Sequence, residues 1–384
     1  MEEGEIKKTL KRKMRKINIQ NGNFDKTLFS LVMALIVFGL IMISSAGIIY
    51  SQTRFGDAYY FFKHQLLYGV IPGLLIMYFV QRIDYRYWKK VSFPFFLVSI
   101  ICLILVFVPG IGTTIYGANR WINLGPVSFQ PSEMAKFALI IYLAAWLESK
   151  GERGVKDFYE GFVPFLGILG LASFLIIKQP DMGTLGVLVM IAVSIFFVSG
   201  ARLSHIFALG FSGVMLVFLA VKLEPYRLNR ILAFLDRGAD PQGIGYQINQ
   251  ALLAVGSGGI FGLGLGHSRQ KFNYLPEPVG DSIFAVIGEE LGLLGAVILV
   301  SLFVALAFRG FRIAKNAPDE FGRLVAVGIT MWIFLQAFVN IAANTALIPL
   351  TGIPLPFVSY GGTSLVFLMF SVGVLMNISK QSKA

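Results

Sequence analysis

Long apolar segments recur along the whole chain, and they restrict it to folds that cross a lipid bilayer. Several of them exceed the roughly 18 residues that mark a membrane-spanning helix. Hydrophobic residues make up 56% of the 384 residues, and charged residues make up only 14%. A soluble domain carries about 25% charged residues, so a single conventional soluble core is excluded. The sequence therefore predicts an all-α polytopic membrane protein.

Ten apolar segments are predicted to be transmembrane helices, and short polar connectors separate most of them. They lie at residues 27–50, 65–81, 91–110, 133–148, 161–178, 183–200, 203–222, 282–308, 323–345 and 358–378. A long loop at 223–281, rich in charge and glycine, separates the seventh helix from the eighth. We predict a basic tail at 1–26, a membrane domain at 27–378 that includes this loop, and a short C-terminal tail at 379–384.

The placement of lysine and arginine predicts the orientation in the membrane, because cytoplasmic loops carry an excess of these residues. If the N-terminus is cytoplasmic, the cytoplasmic segments hold 22 of the 33 basic residues and the short outer loops hold four. Both termini are therefore predicted to be cytoplasmic, and the long loop is predicted to face outward. The net charge of +12 then serves orientation and contact with anionic lipid, and no nucleic-acid partner is predicted.

Cysteine and histidine limit the chemistry that this chain can perform. Cys102 is the one cysteine, so neither a disulfide nor a cysteine-pair redox site can form within the chain. His64, His205 and His267 show no metal-ligand spacing, and no histidine-built metal site is predicted. No serine–histidine–aspartate or cysteine–histidine arrangement can be recognised in the sequence either.

Carboxylates at membrane depth are costly, by about 2.5–3.5 kcal/mol each on insertion scales, and they mark functional sites by default. Asp281 lies at the outer start of the eighth helix, where Pro278 suits the first helical turn. Helical geometry allows Asp281 and Glu289 to face one cavity at different depths, and it turns Glu290 towards another partner. The helix N-terminus favours an ionised Asp281, which suits a base or a cation ligand. An aspartate that merely caps the helix is the alternative.

Basic residues cluster at the same predicted face of the membrane. Arg120 follows a tight outer loop, and its guanidinium suits phosphate binding, with snorkelling to the interface as the alternative. Lys136 stands three residues after Glu133, which predicts an internal salt bridge. Arg227 and Lys271, on the long loop, are further candidate contacts for an anion.

Two irregular segments complete the predicted site. The glycines from 256 to 266 match no nucleotide-binding motif and indicate a flexible or re-entrant segment at the membrane surface. The stretch NIAANTALIPLTGIPLPFVSYGGTS breaks helix at the end of an apolar span, where irregular backbone must be covered by protein or line a cavity. Asn340, Asn344 and Ser359 give that cavity polar edges. One carboxylate, several cations and apolar surroundings suit an amphiphile with an anionic head group.

Seven motifs follow one another along the chain: GANRWI, QPSEMAK, KQPDMGT, PYRLNR, GYQINQALLAVGSGGIFGLGLGHSRQK, YLPEPVGDSIFAVIGEELG and PLTGIPLPFVSYGGTS. With them the chain resembles the SEDS family (shape, elongation, division and sporulation), which includes FtsW, RodA and SpoVE. The family's ten-helix architecture agrees with the count above. The stretch HSRQKFNYLPEP is more similar to the division and sporulation branches and favours an FtsW-like member. Around the aspartate the chain departs from the commoner family pattern, at Val279, Gly280 and Ser282. This departure concerns the positioning of the acceptor rather than the reaction.

The resemblance implies a peptidoglycan glycosyltransferase that polymerises lipid II at the outer face of the bacterial cytoplasmic membrane and releases undecaprenyl diphosphate with inversion. It implies Asp281 as the general base. Arg120, Lys136, Lys271, Glu289 and Glu290 stand at matching family positions. The residues predicted to bind the diphosphate or the sugars are Arg120, Lys136, Lys271 and Glu289, with Arg227 and Ser359 from the analysis above. The resemblance also implies a class B penicillin-binding protein, a transpeptidase, as partner within a division or elongation complex. It leaves open whether a divalent cation, Mg²⁺ or Mn²⁺, assists the leaving group.

Two other functions stay open on the sequence. A lipid II flippase or another transporter would also use a polar cavity, but it needs no essential base. A non-catalytic scaffold of the division complex would tolerate replacement of Asp281. The residues do not fix whether the chain serves division, elongation or sporulation.

Overall fold

The computed structural model describes residues 24–115, 118–123, 125, 128–223, 225–236, 243–272 and 274–382. Most of the predicted N-terminal tail and the last two residues lie outside this part of the chain. The described helices are Lys26–Ala46 (α1), Ile48–Phe55 (α2), Tyr60–Gln65 (α3), Ile71–Val80 (α4), Arg86–Leu105 (α5), Pro131–Lys156 (α6), Val163–Lys178 (α7), Met182–Val198 (α8), Leu203–Leu223 (α9), Pro225–Leu235 (α10), Ile244–Ser257 (α11), Ile283–Lys315 (α12), Glu320–Asn344 (α13) and Gly362–Gln381 (α14). Two π-helical turns, Leu66–Val70 and Phe158–Phe162, precede α4 and α7. Three short antiparallel strands join α5 to α6: Gly112–Ile115 (β1), Ala118–Asn123 (β2) and Ser128–Phe129 (β3).

Seven stretches of described helix are long and apolar enough to cross a membrane. They are Lys26–Ala46, Tyr60–Val80, Arg86–Leu105, Phe158–Lys178, Ile283–Lys315, Glu320–Asn344 and Gly362–Gln381. The shorter α8 and the Leu203–Leu216 part of α9 are also apolar, and α6 has 26 residues but carries several charges. The prediction of a helical polytopic membrane protein is confirmed. The seven spans overlap seven of the ten predicted segments, and α6, α8 and α9 overlap the other three.

The centre of the bundle is formed by α13 and α14. In the most apolar part of these two helices 72% and 67% of the residues are buried, compared with 28–39% in the other five candidate spans. α13 packs against α12, α8 and α6, whereas α14 packs against α4. Gly310 lets α12 approach α13 closely, because a Cβ atom there would lie 2.1 Å from the Thr330 hydroxyl. The outer helices therefore turn broad apolar faces away from the protein.

α12 is broken near its start, at Gly292, where φ is +65° and ψ is −164°. In a regular helix, the amide of Leu293 would donate to the Glu289 carbonyl, and the amide of Leu294 would donate to the Glu290 carbonyl. The break separates both pairs. Four polar backbone groups inside an apolar span then need other partners, because lipid supplies none.

The glycine-rich segment 258–264 supplies these partners. The amides of Leu263 and Gly264 donate to the two carbonyls at 2.9 and 3.0 Å. The carbonyls of Gly259 and Ile260 accept from the two amides at 2.9 and 3.1 Å. The segment therefore completes the hydrogen bonding of the broken helix.

This arrangement changes the interpretation of the long loop. A Cβ atom at Gly262, where φ is +80°, would lie 2.2 Å from the Glu290 carbonyl oxygen, so only glycine permits this approach. The expectation of flexibility is wrong for 258–264, whereas backbone inserted against a broken helix agrees with the re-entrant alternative. Two helices, α10 and α11, occupy much of the rest of the described loop.

We expect Gly262→Ala to lower the free energy of unfolding by at least about 2 kcal/mol, because its Cβ atom adds backbone strain and a clash with the Glu290 carbonyl. Gly256→Ala is the matched control, since a Cβ atom at this glycine of α11 meets nothing within 4 Å. It should change stability by less than about 0.5 kcal/mol. Thermal unfolding of the purified proteins in detergent measures both, and equal melting temperatures would contradict the close packing of the segment.

Candidate active site

A turn at 277–282 carries Asp281 and ends where α12 begins. Asn340 and Asn344, one helical turn apart on α13, both donate from their side-chain amides to the Asp281 carbonyl oxygen, at 2.8 and 2.7 Å. Asp281 therefore precedes the helix. The prediction that Pro278 begins the helix and places Asp281 in its first turn is wrong, because these residues form a separate turn held by α13.

The same turn is held by the segment between α13 and α14. The Ser359 hydroxyl donates to the Gly280 carbonyl at 2.7 Å and accepts from the Leu355 amide at 2.7 Å. The Tyr360 amide donates to the Val279 carbonyl at 2.8 Å. Ser359, predicted to contact substrate, thus uses its hydroxyl on the protein backbone and fixes the turn that carries Asp281.

The carboxylate of Asp281 is left available to a ligand. Its Oδ1 atom has no hydrogen-bond partner among the described residues. Its Oδ2 atom faces Gly352, where a Cβ atom would lie 3.6 Å away. The N-cap residue of α12 is Ser282, and no side chain caps this end of the helix. The alternative of an aspartate that merely caps the helix is therefore wrong.

Burial raises the pKa of Asp281 to about 6, and the nearby carboxylate of Glu277 adds to the increase. A hydrogen bond from the backbone amide of Asp281, the positive charge of Arg230 and a hydrogen bond from Gln247 act in the opposite direction with smaller effect. Any lowering of the pKa by the helix N-terminus, expected from the sequence, is outweighed by desolvation. With a pKa of about 6, Asp281 is still mostly ionised at neutral pH and is a stronger base than an ordinary aspartate.

Arg230 and Gln247 reach the site from the long loop. The Arg230 guanidinium of α10 donates to the Leu350 carbonyl at 2.8 Å. The Gln247 amide of α11 donates to the Ser282 hydroxyl at 3.2 Å. Through these side chains, α10 contacts the irregular segment 345–361 and α11 contacts the turn at 277–282. The side chain of Arg227, predicted to bind substrate, lies outside the described residues.

Lys136 is buried beneath the site, with 1% of its side chain exposed. It pairs with Glu133 at 2.8 Å, which confirms the predicted salt bridge, and it donates to Gln336 at 2.8 Å. The Gln336 amide donates in turn to the Pro354 carbonyl at 3.0 Å. In this arrangement Lys136 supports the irregular segment near Asp281 and presents no exposed ammonium to a diphosphate.

Arg120 lies on β2 and is half-buried. Its guanidinium donates to the Gln179 carbonyl at 3.1 Å and to the Pro180 carbonyl. The side chain therefore connects the small sheet to the turn between α7 and α8. These contacts form no phosphate site, and they are not those of a side chain that snorkels to the membrane interface. Some of the five guanidinium N–H groups are left for a ligand.

Lys271, Glu289 and Glu290 form a second buried cluster, at the break in α12. Lys271 pairs with Glu290 at 3.0 Å, with side-chain exposures of 3% and 0%, and the Ser45 hydroxyl donates to Glu290 at 2.6 Å. Glu289 accepts hydrogen bonds from the Ser268 hydroxyl and from the two amides that follow it. The predicted separate partner of Glu290 is confirmed. Glu289 holds the loop, and the expectation that it shares a cavity with Asp281 is wrong.

The structure brings Asp281 and Ser359 together, whereas Arg120, Lys136 and Lys271 each hold a different neighbouring segment. Several residues of the site were missed on the sequence: Gln247, Glu277 and Gln336. Gln336 interrupts the apolar run of α13 and so carried a signal, but Gln247 and Glu277 lie in a polar loop that offers none.

A divalent cation needs several oxygen ligands. Among the described residues there is no group of three or more His, Cys, Asp and Glu side chains that could hold a metal ion. Asp281 and Glu277 alone do not complete a cation site without oxygens from a substrate, and we assign no step to a cation.

Comparison of the sequence with known proteins identifies its relatives. The profile of the cell cycle protein family that covers FtsW, RodA and SpoVE matches residues 25–384. The chain is 45% identical over 359 residues to stage V sporulation protein E of Bacillus subtilis (strain 168), covering 94% of this chain and 98% of that protein. It is 42% identical over 360 residues to the probable peptidoglycan glycosyltransferase FtsW of Geobacter sp. (strain M18), again covering 94% and 98%.

Solved structures of similar fold agree with these relatives. A chain of a peptidoglycan synthase complex, studied for the coordination of polymerization and crosslinking, aligns with a TM-score of 0.77 and 28% identity. The alignment covers 93% of this chain and 98% of that one. The rod shape determining protein RodA of Thermus thermophilus aligns with a TM-score of 0.69 and 26% identity, over 94% and 98% of the two chains.

We expect Glu290→Gln to destabilise the protein by about 3–5 kcal/mol, because it leaves the buried Lys271 ammonium without its counter-charge. Replacing both residues, as Lys271→Met with Glu290→Leu, should recover most of that loss. Glu320→Gln is the matched control, since it breaks an exposed pair with Arg323 and should cost less than about 1 kcal/mol. Thermal unfolding in detergent compares the variants. A double variant as unstable as Glu290→Gln would argue against the ion pair as the cause.

Proposed function

Because this chain belongs to the family of cell cycle proteins that contains FtsW, RodA and SpoVE, we propose that it is a peptidoglycan glycosyltransferase that polymerises lipid II with Asp281 as general base. The observation that carries the proposal is the Asp281 carboxylate, whose Oδ1 atom has no hydrogen-bond partner among the described residues although the turn around it is fixed from α13 and from the 345–361 segment. The activity named for FtsW relatives of about 40% identity supports it.

In the proposed reaction, the Asp281 carboxylate accepts the proton of the 4-hydroxyl group on the acceptor N-acetylglucosamine. The hydroxyl oxygen forms a bond to the anomeric carbon of the donor, while the bond from that carbon to the diphosphate oxygen breaks on the opposite face. Undecaprenyl diphosphate leaves with the bonding electrons, and the configuration is inverted. Asp281 then releases its proton to solvent. A positioned base of this kind contributes about 10²–10⁴-fold to the rate.

The leaving diphosphate needs cationic groups, and we assign this role to the arginines of α10. Arg230 of α10 acts electrostatically on Asp281, and Arg227 lies one helical turn earlier on the same helix. Cations that face a developing phosphate charge stabilise the transition state. Lys136 and Lys271 act differently in this proposal, because both are buried in ion pairs and position the segments around the site.

The proposal includes a topology with ten crossings and both termini in the cytoplasm. Seven candidate spans, two shorter apolar helices and the charged α6 support a count of ten. The distribution of lysine and arginine supports cytoplasmic termini. Asp281 then faces outward from the bacterial cytoplasmic membrane, on the side where the peptidoglycan lies.

The proposed partner is a class B penicillin-binding protein that cross-links the new strand. The structural similarity to a chain of a peptidoglycan synthase complex supports an assembly in which polymerization and crosslinking are coupled. The similarity to SpoVE and FtsW relatives at 40–45% identity favours a septal or sporulation role over elongation.

We expect Asp281→Asn to abolish glycan polymerisation by the purified protein, with or without its transpeptidase, while lipid II binding stays measurable. Asparagine keeps the size of the side chain but removes the base. The turn should persist, because Asn340 and Asn344 bind the backbone carbonyl of residue 281 rather than its side chain. Gel electrophoresis of the products from labelled lipid II measures the polymer.

Asp57→Asn is the control for this test, because it makes the same chemical change at an exposed aspartate near the same end of the bundle. It should polymerise normally. Normal polymer from Asp281→Asn would remove the general base from the proposal. Translocation of lipid II by a polymerase-inactive Asp281→Asn protein would favour the transporter, and full complementation of a depleted strain by that variant would favour the scaffold.

The polymerisation rate should rise with pH and reach half of its plateau near pH 6, because the base must be deprotonated and the pKa of Asp281 is about 6. Glu277→Gln removes the neighbouring negative charge, so it should lower the pKa of Asp281 and move the midpoint to lower pH. Glu152→Gln, at an exposed and distant glutamate, should leave the midpoint unchanged. A pH profile unaffected by Glu277→Gln would contradict the electrostatic effect of Glu277 on Asp281.

A further inference from the structure

A cavity of about 400 Å³ lies at the end of the bundle opposite Asp281. The start of α1 and the last turns of α12 and α14 line it. Lys26 at the start of α1 lines the cavity, whereas Gly47, directly after this 21-residue helix, packs against Val279, so the two sites are separated by the helix length of roughly 30 Å. The hydrocarbon core of a bilayer is about 30 Å thick, so the cavity and Asp281 lie at opposite membrane interfaces.

The described lining of this cavity is cationic. Lys26, Arg309 and Arg312 contribute three positive charges, and Asp25 contributes one negative charge. Asp25 is already engaged, because it pairs with Arg309 at 2.5 Å and caps α1 by accepting from the Leu28 amide at 2.9 Å. Lys26 and Arg312 form no ion pair or side-chain hydrogen bond within the described part of the chain. Among the described residues, two positive charges of the cavity lining are therefore uncompensated.

Further donors in the cavity suit an anion with several oxygens. The amides of Lys26 and Thr27 begin α1 and have no acceptor within that helix, and the helix N-terminus adds a partial positive charge. Neutral polar side chains of Asn316, Ser379 and Ser382 complete the wall. The combination matches a phosphate ester that carries a polar alcohol.

We infer that this cavity binds the head group of an anionic phospholipid, with its phosphate between Lys26 and Arg312 and its alcohol against the neutral side chains. The position at a membrane interface favours a lipid over a soluble phosphate. Seven lysines and arginines within residues 1–23 directly precede the cavity in the chain, and a polybasic segment of this kind favours an anionic membrane surface.

The bound head group would connect three helices that already meet at this end. The Arg309–Asp25 pair joins α12 to α1, and the Asp25 amide donates to the Ser379 hydroxyl of α14 at 3.3 Å. A phosphate that contacts Lys26 and Arg312 adds a second connection between α1 and α12. Phospholipid binding should therefore stabilise the whole bundle, and the stabilisation should depend on these two side chains.

The test titrates the full-length protein in an uncharged detergent and measures its melting temperature. The probes are phosphatidylglycerol, phosphatidylcholine and inorganic phosphate at the same concentrations. We expect phosphatidylglycerol alone to raise the melting temperature. Arg312→Gln and Lys26→Gln should each increase the phosphatidylglycerol concentration needed for half of that rise by at least about fivefold, whereas Arg312→Lys should retain most of the effect.

Lys315→Gln is the matched control, since it removes the same charge from an exposed residue in the last turn of α12 that does not line the cavity. It should change the half-effective concentration by less than about twofold. An equal loss in Lys315→Gln and Arg312→Gln would overturn the site, because general surface charge would then explain the binding. Equal stabilisation by inorganic phosphate would overturn the lipid assignment, and the absence of any phosphatidylglycerol effect would overturn both.

Discussion

A hydrocarbon medium offers no partner to a backbone amide or carbonyl, and this constraint determines how the site is built. A transmembrane helix can be interrupted only where other parts of the protein supply the missing hydrogen bonds. Two such interruptions lie close to Asp281: the break at Gly292 in α12 and the irregular segment 345–361. Backbone groups of 258–264 satisfy the first, and side chains of α13 contribute to the second. Backbone groups of the glycine-rich segment and amide side chains of α13 therefore supply hydrogen bonds that the two interruptions need.

Two buried ion pairs hold the frame of the site. Removing an ion from water costs several kcal/mol in a real protein, and a second charge rarely offsets that cost alone. In each pair a neutral polar side chain adds a further hydrogen bond: Gln336 accepts from Lys136, and Ser45 donates to Glu290. Such pairs add little net stability compared with apolar packing. They do fix how separate segments meet, because a shifted segment would leave a buried charge without its partner.

The sequence was sufficient for features that depend on local pattern. Hydrophobic runs located the described helices that are long and apolar enough to cross a membrane, and the spacing of Glu133 and Lys136 predicted their salt bridge. Features that depend on contacts between distant segments could not be predicted. Gln247 lies 35 positions from the serine that it contacts, and nothing in its neighbourhood indicates that contact. The role of the glycine run was misjudged for the same reason, since its partner is the break in α12.

Burial and Glu277 raise the pKa of Asp281, and the frame of the site does not cancel this effect because of the atoms that it binds. Hydrogen bonds donated to a carboxylate stabilise its charged form and lower its pKa. Asn340, Asn344 and Ser359 instead donate to the backbone carbonyls of the turn, and the carboxylate Oδ1 atom is unpaired. The turn is thus fixed without making the carboxylate less basic, and burial with a neighbouring glutamate can raise the pKa to about 6. A general base needs both properties, because it must be positioned accurately and still bind a proton near neutral pH.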